Sequence, residues 1–177
     1  MRIAILLTIG LVIISCAKPP KPKPKLPEGV YEARAKPELP EGWYEVKAGK
    51  FFIFYLPKNM KLRVPGGSPE SEWGSSYSND EMTLSAEYSS WGGEVAPDYA
   101  ARQVEYKKEV TIIDGRIAKI QSWRLEDANW GHDYKYTAGL ILYDAISGEK
   151  RAQMHLLSKQ GNGIEIANQI FKSIQFQ

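Results

Sequence analysis

The chain is poor in the residues that build disulfides, metal centres and nucleophilic sites. It has one cysteine, Cys16, and two histidines, His132 and His155, among 177 residues. One cysteine cannot form a disulfide within the chain, and so few Cys and His ligands argue against a structural zinc site. The nucleophile elbow Gly-x-Ser-x-Gly and the phosphate-binding Gly-x-x-x-x-Gly-Lys are also missing. The sequence therefore predicts no catalytic residue, no metal site and no cofactor.

The sequence also lacks an apolar run of the roughly 20 residues that a helix needs to cross a bilayer. The apolar stretch over residues 3–14 follows Arg2 and ends in Ile13-Ile14-Ser15-Cys16. A positive start, a short apolar stretch and then a small residue are typical of a secretory signal peptide. The last four residues resemble the bacterial lipobox. The resemblance implies that residues 1–15 are removed and that Cys16 carries a thioether-linked diacylglycerol.

Ala17 follows Cys16, where the Gram-negative sorting pattern would place Asp to retain a lipoprotein at the inner membrane. By resemblance to that pattern, we expect a lipid anchor on the periplasmic face of the outer membrane. The inner membrane is the alternative location. The alternative to lipidation is an uncleaved anchor or an ordinary signal peptide with an incidental cysteine. The membrane is thus the first expected partner.

The region expected to fold has no excess of basic charge. Residues 1–42 carry seven Lys or Arg and four Asp or Glu, whereas residues 43–177 carry sixteen and seventeen. A nucleic-acid-binding domain should show the reverse, with a basic face on the fold. We therefore expect no nucleic-acid partner.

Residues 16–42 form a Lys/Pro-rich tether. Pro and Lys alternate over residues 18–25, which favours an extended polyproline II spacer. Then LPEGVYEARAKP over residues 26–37 is repeated as LPEGWYEVKAGK over residues 39–50. We expect the second copy to enter the fold through residues 43–46, while the first stays extended or pairs weakly along a sheet edge. The folded domain is predicted over residues 43–177.

Strand patterns dominate that domain. Phe51 to Leu56 is apolar on both sides and stops at Pro57, which predicts a strand buried on both faces. Asp114-Gly115 between apolar runs is a strong hairpin signal. In the last predicted strand, His155 alternates with inward apolar residues and should point outward. The predicted strands cover residues 51–56, 72–77, 82–90, 111–113, 116–125, 134–143 and 151–158.

Two helices are predicted beside these strands. Ala96-Pro97-Asp98 resembles a helix start, and Tyr99, Gln103, Tyr106 and Val110 follow at helical spacing. Asn162, with Glu165 three residues later, is typical of a helix N-terminus. Helices covering an antiparallel sheet define the α+β class.

The layout resembles the PsbP-like / Ran-binding Mog superfamily over residues 43–177. The resemblance depends on three segments: the aromatic strand Phe51 to Pro57, Ile113 to Ala118, and the ending Ala167 to Phe176. It implies an α/β/α sandwich, here with an antiparallel sheet of about six strands flanked by helices. It also implies a non-enzymatic accessory role in binding a protein partner.

Aromatic residues are the best candidates for a binding surface. Core packing is expected for Trp73 and Trp123, whereas Trp91, Trp130 and Tyr134 lie near strand ends and loops. We expect these three to contact a partner. The leading hypothesis is a non-catalytic, lipid-anchored accessory domain that binds an envelope protein. The alternative is a small-ligand or glycan-binding lipoprotein that uses the same exposed aromatics.

Overall fold

The structure, a computed structural model, describes residues 38–65, 71–89, 103–126, 133–143 and 150–177. These residues form ten strands and one helix. The elements, in chain order, are β1 (Trp43–Ala48), β2 (Phe52–Pro57), β3 (Lys61–Pro65), β4 (Trp73–Ser78), β5 (Met82–Tyr88), β6 (Gln103–Ile113), β7 (Arg116–Leu125), β8 (Tyr136–Tyr143), β9 (Lys150–Ser158), α1 (Asn162–Lys172) and β10 (Gln175–Phe176). No helix within these ranges is both long and apolar enough to span a membrane.

The strands form two antiparallel sheets. The small sheet has the order β1-β2-β10, and the large sheet has the order β3-β4-β5-β9-β8-β7-β6. The small sheet and α1 pack on one face of the large sheet, since Phe52 and Phe54 of β2 contact Trp73 and Tyr77 of β4. The main core lies between these two layers. Its fully buried large side chains include Phe52, Phe54, Phe171, Leu56, Met60, Leu84, Leu140, Leu142, Met154, Leu156 and Ile170.

Several elements predicted from local sequence are confirmed. β2 is a strand as predicted, buried along one face, while on its other face Tyr55 is buried and Ile53 and Pro57 are partly buried. Asp114 and Gly115 connect β6 to β7, and both have positive φ (48° and 68°), as a tight hairpin turn requires. The second copy of the duplicated segment enters the fold as β1.

The helix near the C-terminus is also confirmed, although its capping differs from the prediction. Gly161 occupies the N-cap position and makes no side-chain cap hydrogen bond, while Asn162 is the first helical residue. Gly163 faces Ser158 so closely that a Cβ at this position would overlap the serine side chain. This close approach fixes α1 against the end of β9.

The predicted α+β class, with an α/β/α sandwich of about six strands flanked by helices, is wrong. The described residues are mostly β, with a single short helix and two antiparallel sheets of three and seven strands. Sheet rather than helix supplies much of the second layer, because β1, β2 and β10 cover the large sheet beside α1. The sandwich implied by the PsbP-like / Mog resemblance is wrong for the same reason.

The first predicted helix accounts for part of this error. Its start, residues 96–102, lies outside the described residues, but Gln103 to Ile113 form strand β6. Val104, Tyr106, Lys108, Val110 and Ile112 alternate along the chain as strand residues do, and this pattern coexists with the helical spacing. The tight turn at Asp114 holds the segment against β7 over nine paired positions, so tertiary pairing decided its conformation.

Candidate ligand-binding face

The candidate site lies on the face of the large sheet that points away from the small sheet and α1, here called the second face. The strand register sets a row of directly opposed residues across it. Ser85 opposes His155, His155 opposes Gly139, and Gly139 opposes Gln121. Directly opposed residues of antiparallel strands point to the same side of a sheet. Three polar side chains therefore line this row, and Gly139 contributes none.

The middle of the second face is buried, although its residues do not belong to the main core cluster. Gln121 and Trp123 are each 3% exposed, and Ile141 is 1% exposed. Thr137, opposite Trp123 in the register, is also buried. The large sheet is thus buried on two sides: one side is almost wholly apolar, and the other combines aromatic, amide and imidazole groups.

Trp123 is the centre of an aromatic group on this face. Its ring lies 6.4 Å from that of His155, with 26° between the ring planes. On its other side the Tyr106 ring lies 6.4 Å away at 33°. The Gln121 amide Nε2 donates a 2.7 Å hydrogen bond to the Tyr106 hydroxyl, which fixes the direction of the amide. Three rings and an amide of fixed direction therefore lie side by side on this face.

Two polar atoms of this group have no hydrogen-bond partner. Within the described ranges, three buried side-chain polar atoms are unpartnered, and Gln121 Oε1 and His155 Nε2 are two of them. A buried polar atom without a partner costs about 1–3 kcal/mol. Native proteins keep few such atoms, and each needs an explanation. Both atoms belong to residues that flank Gly139, on strands about 10 Å apart across the sheet.

The imidazole of His155 is suited to neutral hydrogen bonding. Burial lowers the pKa of His155 below its usual value of 6.5, because the charged ring would lose its solvation. The ring is therefore neutral at neutral pH and has one donor and one acceptor nitrogen. No group of three or more His, Cys, Asp or Glu that could hold a metal ion comes together among the described residues.

Two peripheral hydrogen-bonding groups border the aromatic centre. Glu87 accepts hydrogen bonds from Gln153 Nε2 and, at 3.0 Å, from the Ser71 hydroxyl. At the other end, the hydroxyls of Thr83 and Tyr134 lie 3.0 Å apart. These pairs hold β5 side chains in place beside the His155 row, so the second face is ordered at its margins as well as at its centre.

Of the residues expected to contact a partner, the structure describes Tyr134 alone. Tyr134 is half-buried, bonds to Thr83, and has the Lys159 ammonium 6.0 Å from its ring centre. Trp91 and Trp130, like Cys16 and His132, lie outside the described residues. The shared contact surface of these three residues therefore stays a prediction.

The other sequence-based assignments gave mixed results. Trp73 packs against Phe52 at the main core, as expected. Trp123 is buried as expected, but it packs on the second face. His155 does face away from the main core, yet its Nε2 is buried. Sequence reasoning missed Gln121 and Tyr106. A signal for Gln121 was present in the sequence. Gln121 follows the apolar Ile120 in a strongly predicted strand, so the two side chains should point to opposite faces of the sheet.

Comparison with known proteins adds no relatives: no protein-family model and no curated protein matches this chain.

Proposed function

We propose that this chain is a non-catalytic, lipid-anchored binding domain of the cell envelope, and that its second face takes a small ligand rich in hydroxyl groups, such as a wall glycan. The observation that carries the proposal is the pair of buried, unpartnered atoms, Gln121 Oε1 and His155 Nε2, beside the Trp123 ring. The envelope location depends on the predicted lipidation of Cys16.

The chemistry of the site favours hydroxyls over ions. An amide oxygen accepts a hydrogen bond, and a neutral imidazole can donate or accept one. A hydroxyl can satisfy either atom without bringing a net charge into a buried place. The ring of Tyr106, which is 44% exposed, suits the apolar face of a sugar ring, because aromatic side chains combine large contact area with specific geometry. A charged ligand would need a counter-charge that this row does not supply.

The test is a titration of the full chain with disaccharide-peptide fragments of peptidoglycan, in which tryptophan fluorescence reports binding. We expect a saturable change in fluorescence for the wild-type chain. Gln121→Leu removes the unpartnered oxygen and should weaken binding about tenfold, which corresponds to about 1.4 kcal/mol. Gln169→Leu makes the same chemical change at an exposed position on α1 and should bind as the wild type does.

Two results would contradict this proposal. One is the absence of any saturable signal, which would leave water as the partner of both atoms. The other is equal affinity of Gln121→Leu and Gln169→Leu, which would place the ligand elsewhere on the chain.

An envelope protein partner is the second candidate, and a different observation favours it. Tyr106 and Val110 on the edge strand β6 are 44% and 64% exposed. An edge strand with exposed apolar side chains can accept an extended segment of another protein. Val110→Lys should then reduce recovery of a specific partner from envelope extract, while Gln169→Leu should not. Equal recovery with both variants would remove this candidate.

A further inference from the structure

The outer edge of β1 supports an inference that does not depend on the second face. Among the described residues, β1 is paired with β2 on one side and has no strand on the other. Glu45 and Lys47 are exposed on one face of β1, while Val46 and Ala48 are buried on the opposite face. Such an edge offers unpaired backbone groups to a further strand.

The large sheet extends beyond the cover that β1 provides. Leu62 of the edge strand β3 pairs with the core residue Tyr77, so the register places it on the core-facing side. It is nevertheless 55% exposed. Beside it, a cleft of about 470 Å³ is lined by Trp43, Tyr44 and Met60. The covering layer therefore leaves Leu62 of β3 partly uncovered.

We infer that the first copy of the duplicated segment, residues 30–35 of the same chain, pairs antiparallel with the outer edge of β1 as a fourth strand of the small sheet. The described chain begins at Glu38, only five residues before β1, so this segment leads directly into the edge. Residues 36–42 would form the connection, which is longer than the two to five residues of most hairpin loops but within the range of connections in compact domains.

Charge and pattern set one register. When Ala35 opposes Tyr44, Arg34 opposes Glu45 and Glu32 opposes Lys47. Opposite charges directly across antiparallel strands attract each other. In the same register the small residues Ala33 and Ala35, together with Tyr31, continue the buried side of β1. They extend the apolar layer toward Leu62 and the cleft.

The pairing would also set the length of the spacer. The free segment between Cys16 and the fold would shrink from residues 17–42 to residues 17–29. At about 3.1 Å per residue for an extended Pro-rich segment, its maximum reach falls from about 80 Å to about 40 Å. The duplication therefore serves both as a strand of the fold and as a limit on the tether.

Hydrogen exchange of the full chain, measured by mass spectrometry in mild detergent, tests the inference. We expect the amides of residues 30–35 to exchange at least about tenfold more slowly than the non-proline residues of 17–25. Glu32→Lys and Lys47→Glu should each reduce that protection, and the double variant should restore it. Lys25→Glu, a charge reversal outside the predicted strand, should leave it unchanged.

Three outcomes would overturn the inference. Exchange in residues 30–35 as fast as in the spacer would show a fully solvated tether. Failure of the double variant to recover protection would exclude this register. Protection that rises with protein concentration would assign the strand to a second copy of the chain instead of to the same molecule.

Discussion

The two faces of the large sheet differ in the polarity of their side chains, even between residues that are adjacent in the chain. On the core face, Ala86, Met154, Leu140 and Ile120 oppose one another across four strands. One residue along, on the second face, the row reads Ser85, His155, Gly139 and Gln121. The first row is apolar and buried throughout, whereas in the second row Gln121 and Gly139 are buried, His155 is partly buried and Ser85 is exposed.

This difference indicates that the two faces are under different constraints. Aliphatic side chains on the core face need only shape and volume to be stable. A buried amide oxygen and imidazole nitrogen without partners cost free energy, so stability alone does not account for them. Polar groups retained at such a cost are expected where a protein binds something. The comparison therefore separates the part of the sheet that maintains the fold from the part proposed to bind a ligand.

The largest expected effect is on the core face. Leu140→Ala should lower the free energy of unfolding by about 2–5 kcal/mol, because it leaves a cavity at a fully buried position. Urea unfolding followed by circular dichroism measures the change. Val110→Ala, at an exposed position on β6, should change stability by no more than about 0.5 kcal/mol. Similar losses in the two variants would contradict the assignment of the core to this face.

A smaller effect of opposite sign is expected on the second face. Gln121→Leu removes a buried oxygen that has no partner, and the half-exposed Tyr106 hydroxyl that it releases can bond to water. We expect unfolding free energy to stay equal or to rise by about 1 kcal/mol. The same urea experiment measures it. A loss of more than about 2 kcal/mol would show that Gln121 is satisfied by a partner that stabilises the fold.

The smallest effect is a pH dependence from His155. Since burial lowers its pKa in the folded state, the unfolded chain takes up the proton first as the pH falls through the usual value of 6.5. Unfolding free energy should therefore decrease on acidification until the folded-state pKa is reached. Thermal melts between about pH 5 and pH 7.5 should show this slope, and His155→Gln should reduce it. An unchanged slope in the variant would assign the pH dependence to other groups.

Local sequence was sufficient where a structure depends on near neighbours. The β6–β7 turn follows from Asp114-Gly115, and α1 follows from an apolar face that includes Ala167, Ile170 and Phe171. Local sequence was insufficient for β6, where helical and alternating patterns overlap in the same residues. There the pairing with β7, a contact outside the segment itself, determined the conformation.

The candidate site could not be predicted for a related reason. Gln121 and His155 are far apart in sequence, and they flank Gly139 only because β8 lies between β7 and β9. No spacing rule along the chain connects them. The sequence indicated only the aromatic residues near loops. Of those expected to contact a partner, the structure describes only Tyr134.

By itself, the sequence determined the elements that local interactions stabilise: the alternating strands, the tight turn at Asp114 and the amphipathic helix α1. It also contains the duplicated segment and the lipobox-like pattern at Cys16, which predict a tether and an anchor. Tertiary structure alone decided which strands are neighbours, that β6 is not a helix, and that a partly buried polar row lies opposite the core. The physical reason is that backbone pairing and burial depend on residues distant in the chain, whose contacts exist only once the sheets have formed.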